Sequence, residues 1–298
     1  MAVNKLNLNF NKYNSHVNIK GSRNILSRNV EGNWATIFKG QGMEFTGYRN
    51  YNPTDDASII DWKASLRNKE LLVREFEEFK NFNVFFFLDT SNSMLYTTGD
   101  KFKAEFGAEV LYSLFEEASF AGDAVGMATF NTKITSKIMP AFGKGMRYRF
   151  IKVLSNTENY GGERDFRKSM LELYAMLPEK SIIILISDFL GLPEDWSKYI
   201  DLFSSRHYVM GIMIRDKRDR ELSIKGQFAV KDPNSTETLI FDAENFSKQY
   251  EELSKQDEEK VQRVFKKVKS DCLVLENEIS EPRVPVRRFF TKMSQVNS

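Results

Sequence analysis

Residues 83–94 read NVFFFLDTSNSM, and this stretch decides the fold. The apolar run from Val84 to Leu88 has the length of a strand and leaves no polar residue to face water. It reads as a parallel strand covered on both sides. The run ends on Asp89, and Thr90-Ser91-Asn92-Ser93 follows as a polar turn. A second stretch has the same form: SIIILIS, Ser181 to Ser187, runs straight into Asp188.

Outward from these two strands the chain alternates. Residues 101–121, KFKAEFGAEVLYSLFEEASFA, place apolar side chains at helical spacing, and Gly122-Asp123 closes that helix. Strands are expected over 124–130 and 134–139, and helices over 146–154 and 166–177, the latter ended by Pro178. Beyond Asp188 the pattern predicts a helix over 194–205 and a buried strand over 208–214. An edge hairpin (227–230 with 238–241), a long charged helix (243–268), a short strand (272–275) and a last helix (286–293) complete it. Upstream, residues 71–79 alternate as a half-exposed strand, residues 39–70 read as loop-rich, and the first forty as an irregular arm.

This order implies an α/β protein with a doubly wound, mainly parallel sheet, helices on both faces and an edge hairpin. Residues 1–80 are expected as an N-terminal extension packed on a main domain of 81–298, because they offer too few patterned apolar residues for a core of their own. Ligands bind such sheets at the carboxyl ends of the strands. Asp89 and Asp188 therefore fall on one rim.

The charge balance excludes some partners. Lys plus Arg number 43 and Asp plus Glu 41, a formal net charge of +2 with no basic patch, which argues against nucleic acid or a membrane surface. The single cysteine, Cys272, forms no disulfide within the chain and fits a reducing cytoplasm. With only two histidines in addition, the chain cannot supply the usual ligand set of a structural zinc site. The N-terminal residues lack the apolar core of a signal peptide. The longest apolar runs fall far short of the roughly 20 residues that span a bilayer.

In a loop that turns away from a strand, Asp89, Ser91 and Ser93 point the same way. One carboxylate and two hydroxyls are hard oxygen donors suited to Mg²⁺ or Mn²⁺, and Asp188 adds a second carboxylate. Pure turn capping is the plainer reading of the same residues. The Asp55, Asp56 and Asp61 group is expected to satisfy turns. Gly40-x-Gly42 and Gly143-x-Gly145 lack the Lys-Ser/Thr of a phosphate loop. Trp62 is expected as a packing anchor, His207 as a structural histidine ahead of its strand, and the charges of 248–269 as a solvated helix face.

Asp89-x-Ser91-x-Ser93 with Ser187-Asp188 resembles the metal-ion-dependent adhesion site of von Willebrand A domains. Around it, Gly40-Gln41-Gly42-Met43-Glu44-Phe45, Arg49-Asn50-Tyr51, Asp55-Asp56, Ile60-Asp61-Trp62-Lys63, Gly122-Asp123, Gly126, Ser187-Asp188-Phe189, Arg206-His207 and Arg288-Phe289-Phe290 resemble, in order, domain of unknown function family 58. The resemblance covers about residues 36–292. It implies a protein-interaction module, an adaptor or accessory beside a MoxR-type AAA+ ATPase in maturing or remodelling other proteins, in a family with no well-established enzymatic activity. It also implies a metal held by Asp89, Ser91, Ser93 and Asp188. The adhesion site normally adds a threonine from a later loop. Here that loop reads Tyr160-Gly161-Gly162-Glu163-Arg164-Asp165-Phe166, and the threonine position falls at Glu163 or Arg164. Two alternatives follow. Asp165 supplies the missing oxygen and Mg²⁺ or Mn²⁺ binds weakly, or Arg164 replaces part of the metal's charge with a guanidinium.

The rival class is a metal-dependent hydrolase or phosphotransferase using the Asp89/Asp188 rim. An aspartyl nucleophile at Asp89 would want a carboxylate two residues on, where Ser91 stands. A Ser-His-Asp arrangement would want a histidine on the rim, whereas His207 begins its strand at the other end.

Overall fold

The computed structural model describes residues 5–10, 43–52, 55, 56, 58, 60–68, 70–78, 82–178, 180–221, 227–231, 238–279 and 286. The chain divides into two compact units, Trp34–Asn81 and the remainder, Met1–Asn33 with Phe82–Ser298. The Gly40-Gln41-Gly42 and Arg288-Phe289-Phe290 motifs, most of the arm and all but the first residue of the last expected helix lie outside the described residues.

The smaller unit holds β1 (Met43–Asn50), α1 (Trp62–Asn68) and β2 (Leu72–Glu78), with β1 and β2 antiparallel. The stretch expected to be loop-rich therefore carries a strand and a helix. The helix is only seven residues long and has no apolar stripe to announce it. Asp61 starts it by accepting from the Lys63 and Ala64 amides, both at 3.1 Å. Ser65 docks it: its Oγ donates to the Asp61 carbonyl at 2.7 Å and accepts from the Leu72 amide at 2.9 Å. Because Ser65 is the docking residue, Trp62 does not anchor the packing as expected; it is 62% exposed. Asp55 accepts from the Asn52 amide and Asp56 from the Ser58 amide, so this acidic group serves turns as expected.

The larger unit is built on a six-stranded sheet. Its strands are β3 (Asn83–Asp89), β4 (Ala124–Phe130), β5 (Ile134–Ala141), β6 (Ser181–Ser187), β7 (Tyr208–Arg215) and β10 (Cys272–Glu276), in the order β10-β7-β6-β3-β4-β5. All neighbours are parallel except β4 and β5. β8 (Gln227–Lys231) and β9 (Thr238–Asp242) pair antiparallel as the hairpin reading expects, but as a two-stranded sheet of their own rather than at the edge of the large one.

Residues 84–90 are fully buried, as a strand covered on both faces requires. On one face lie α2 (Lys103–Ala121) and α3 (Gly145–Leu154), joined by the stacked rings of Phe115 and Phe150. Gly107 of α2 lets the helix approach the sheet closely; a Cβ there would meet Ile214 and Leu88 at 2.9 and 3.0 Å. On the other face α4 (Phe166–Met176), α5 (Ser197–Ser204) and α7 (Ala243–Lys267) close a core of Phe85, Phe87, Phe166, Phe203, Met213 and Phe265. Between β7 and β8 is a single helical turn, α6 (Lys217–Arg220).

The described piece of the arm runs along α2. The Asn7 amide meets the Glu105 carboxylate, and the Asn9 amide donates to Glu109 at 2.8 Å. Alternate amides of an extended segment thus meet carboxylates one helical turn apart. Phe10 lies on Tyr112 with ring centroids 4.7 Å apart.

Candidate functional site at the strand rim

β3 and β6 are neighbours in parallel register, so their last residues emerge side by side. Asp89 and Asp188 are both fully buried there. The chain leaves β3 through a 3-10 turn, Asn92–Leu95, after the Ser91 amide has turned back to Asp89 Oδ1 at 3.0 Å. It leaves β6 through Phe189, whose left-handed φ of 54° returns the Leu190 amide to Asp188 Oδ1 at 3.1 Å. The ring of Phe189 holds that bend from the core, packed on Trp196 and Phe265.

A third loop is bolted to the first. The Asn92 amide donates to the Gly162 carbonyl and the Gly161 amide to the Thr90 carbonyl, both at 2.8 Å. Asn131 Nδ2 donates to the Gly161 carbonyl at 2.7 Å. Gly161 and Gly162 sit at φ 101° and 88°, where only glycine is unstrained, and a loop of this shape carries Arg164 over the rim.

Arg164 Nη1 lies 2.8 Å from Asp89 Oδ2 and 2.9 Å from Asp188 Oδ1, with Ser93 Oγ and Ser187 Oγ each at 3.4 Å. Its side chain is 9% exposed. Burial opposes its charge, but Asp89 and Asp188 outweigh burial, and its pKa stands above the ordinary arginine value. A second cation closes the cluster from below: Lys103 Nζ, at the start of α2, lies 2.9 Å from both Asp188 Oδ2 and Asp219 Oδ2. Burial raises the pKa of Asp188, and Lys103 and Arg164 more than reverse this, holding it below the usual carboxylate value. Ser187 Oγ donates to Asp89 Oδ2, and Ser91 and Ser93 hydroxyls pair at 3.2 Å.

Of the residues expected to hold a metal, Asp89, Ser91, Ser93 and Asp188 come together. Asp165 serves elsewhere: its Oδ1 accepts from the Lys168 amide at 2.9 Å and caps α4. Among the described residues no group of three or more His, Cys, Asp or Glu is placed to hold a metal ion. The donor set does not fit a dication as it stands. The point between the two carboxylates is filled by a guanidinium nitrogen, and the remaining Asp188 oxygen is taken by an ammonium. The sequence reading missed Lys103 and Asp219, and named Ser187 within the motif without giving it a role. Lys103 was detectable in principle, since it lies in helical phase with the buried Phe106, Gly107 and Val110.

His207 lies at the far end of the sheet, packed edge-on against Tyr174, with Nδ1 3.3 Å from the Ser181 amide. Among the described residues no histidine approaches the rim.

The fold and site define a mixed α/β protein with a mostly parallel sheet whose rim carries a closed, salt-bridged carboxylate pair. The family described as "Protein of unknown function DUF58" matches residues 47–260, and the chain belongs to that family. It is 23% identical over 208 residues to the uncharacterized protein Rv1480 of Mycobacterium tuberculosis (strain ATCC 25618 / H37Rv), covering 69% of this chain and 65% of that one. The chain thus spans about 65% of the length of this mycobacterial relative. It is also 33% identical over 76 residues to the uncharacterized protein YeaD of Bacillus subtilis (strain 168), over 25% of this chain and 18% of that one. Among solved structures it is similar to BatB from Bacteroides thetaiotaomicron, at 13% identity and a TM-score of 0.44, over 72% of this chain and 100% of that one. An aerotolerance-related membrane protein from Bacteroides fragilis NCTC 9343 aligns at 12% identity and a TM-score of 0.45, over 72% and 100% of the two chains. Among the described residues no helix is long and apolar enough to cross a membrane.

Proposed function

We propose that this chain is a protein-interaction module of the von Willebrand A type, an adaptor whose partner docks over the rim that Asp89, Ser91, Ser93 and Asp188 build beneath Arg164. The observation that carries the reading is the meeting of Asp89 and Asp188 at one cation, at the carboxyl ends of two central parallel strands, where such folds bind ligands. The Asp-x-Ser-x-Ser loop and the order of the strands support the same class. A MoxR-type AAA+ ATPase is the partner that the family resemblance favours, with protein maturation or remodelling as the shared task. The lone buried Cys272 fits a cytoplasmic setting.

The chemistry of the rim favours binding over catalysis. Both carboxylates are neutralised by ion pairs, so neither is a free base or nucleophile.

The test is capture of a purified MoxR-type ATPase on the immobilised full chain. Ser93→Ala and Asp89→Asn should weaken capture, because each alters the cluster while keeping its shape. Capture equal to wild type by both variants would remove the rim from the interface. Phosphatase and ATPase assays on the purified chain should stay at background.

A further inference from the structure

We infer that Arg164 is a tethered cation sitting in a divalent-cation seat, so that the rim is assembled without metal and its metal affinity is latent. The inference rests on the rim reading above for its purpose, while its geometry stands by itself.

Four oxygens surround Arg164 Nη1: two carboxylate oxygens at 2.8 and 2.9 Å and two serine hydroxyls at 3.4 Å. A terminal guanidinium nitrogen carries two hydrogens, which the carboxylates use. The two hydroxyls lie beyond ordinary hydrogen-bond length and add only their dipoles. Four oxygens, three from the ends of β3 and β6 and one from the 3-10 turn after β3, converge on one point, a cage for a point charge rather than a fork–fork pair. Oxygen donors of this kind, two carboxylates and two hydroxyls, suit Mg²⁺ or Mn²⁺.

The guanidinium is not a stray side chain that has fallen into the cage. Its loop is fixed to the β3 turn by the Asn92–Gly162 and Gly161–Thr90 backbone bonds, and the side chain is almost wholly buried. Lys103 occupies the other face of Asp188 and balances the cluster further. A dication added to this arrangement would crowd a third cation onto Asp89 and Asp188, which Arg164 and Lys103 already engage. With Arg164 absent, the same oxygens would face an uncompensated buried charge, which a metal ion would relieve.

The experiment is calorimetric titration of Mn²⁺ into the full chain as wild type, Arg164→Ala and Arg164→Thr. The threonine variant adds an oxygen at the cage. Wild type should show no saturable binding, and its melting temperature should not respond to Mn²⁺ or EDTA. At least one variant should bind Mn²⁺ at least about tenfold more tightly than wild type. Asp89→Asn added to that variant should abolish the gain. A variant unfolded by itself should recover cooperative melting when Mn²⁺ is supplied. The inference fails if wild type binds as tightly as the variants, or if neither variant gains binding or rescue. A gain of metal binding in a chain that captures no partner leaves the seat standing and removes only the adaptor reading.

Discussion

Ser187 reaches across the β3–β6 pair to Asp89: its Oγ donates to Oδ2 at 2.7 Å, with both side chains fully buried. The same hydroxyl accepts from the Phe189 amide at 3.2 Å. One side chain therefore orients a rim carboxylate and satisfies the first amide of the bend beyond Asp188. Ser187→Ala leaves a buried carboxylate short of a donor and a buried amide short of an acceptor. The expected loss is about 1–3 kcal/mol, read as a lower midpoint in guanidinium denaturation. Ser187→Thr keeps the hydroxyl and should lose less; equal losses would show that the hydrogen bonds are not the cause.

Asp123 titrates against the fold. It accepts from the Phe82 amide at 3.0 Å, but burial outweighs that bond and pushes its pKa from 3.8 up to about 6. The folded state therefore prefers the protonated acid, and the unfolded state ionises first as pH rises. Between pH 4 and 6 the unfolded state holds fewer protons, so this group's contribution to stability falls as pH rises through that window. The penalty is full above about pH 6, on the order of 3 kcal/mol, and is relieved below about pH 4. Asp123→Asn keeps an acceptor for Phe82 and removes the ionisation. It should be more stable than wild type at pH 8, with the difference shrinking toward pH 4. A difference that does not vary with pH would refute this account.

The parts of this structure that could be read from sequence are those where one residue's neighbours in the chain decide its environment. Val84 to Leu88 and Ile182 to Ile186 are buried strands because nothing in them tolerates water, and parallel order then places Asp89 and Asp188 together. Arg164 was one of two readings of its loop; the other, Asp165 as an oxygen donor, competes with a helix N-terminus three residues from Lys168, and in the structure the cap is made. Lys103 was obscure because a lysine in a first helical turn ordinarily reaches water; only the acids of two other segments, Asp188 and Asp219, draw it inward. The helix at Trp62–Asn68 was obscure because it is short and its docking residue is a serine.

Two glycines with opposite surroundings give a paired test of packing. A Cβ on Gly126 would stand 2.7 Å from both the Ile138 carbonyl oxygen and the Pro140 nitrogen, at the register irregularity between β4 and β5. Backbone atoms cannot swing aside, so Gly126→Ala should cost about 1–3 kcal/mol or more. Gly145 opens α3 with nothing within 4 Å of its missing Cβ. There Gly145→Ala should stabilise by about 0.4–1 kcal/mol through a less flexible unfolded chain. Thermal melts of the two variants should move in opposite directions; a shift of the same sign would contradict the crowding at Gly126 or the open space at Gly145.

Arg215 is a buried charge with too little to hold it. It ends β7 fully buried, and its Nη1 and Nη2 have no hydrogen-bond partner among the described residues. Its Nε stands 3.9 Å from Glu258 Oε1, and Arg220 already engages that carboxylate through Nε and Nη2 at 2.6 and 3.0 Å. Removing Arg215 therefore strands no carboxylate, which is the usual reason that breaking a buried pair is costly. What remains is the desolvation of a guanidinium that recovers little. Arg215→Met fills the same space with an apolar chain beside Met213, whose Sδ lies 3.2 Å from the Arg215 Nε. It should be neutral or more stable, by up to about 4 kcal/mol, in urea denaturation at pH 7. Arg220→Met is the control: among the described residues it leaves Glu258 facing only the distant Arg215, strips Glu276 of its ion pair and should destabilise. If Arg215→Met lowers the midpoint more than Arg220→Met does, the buried guanidinium is compensated and this reading of β7 is wrong.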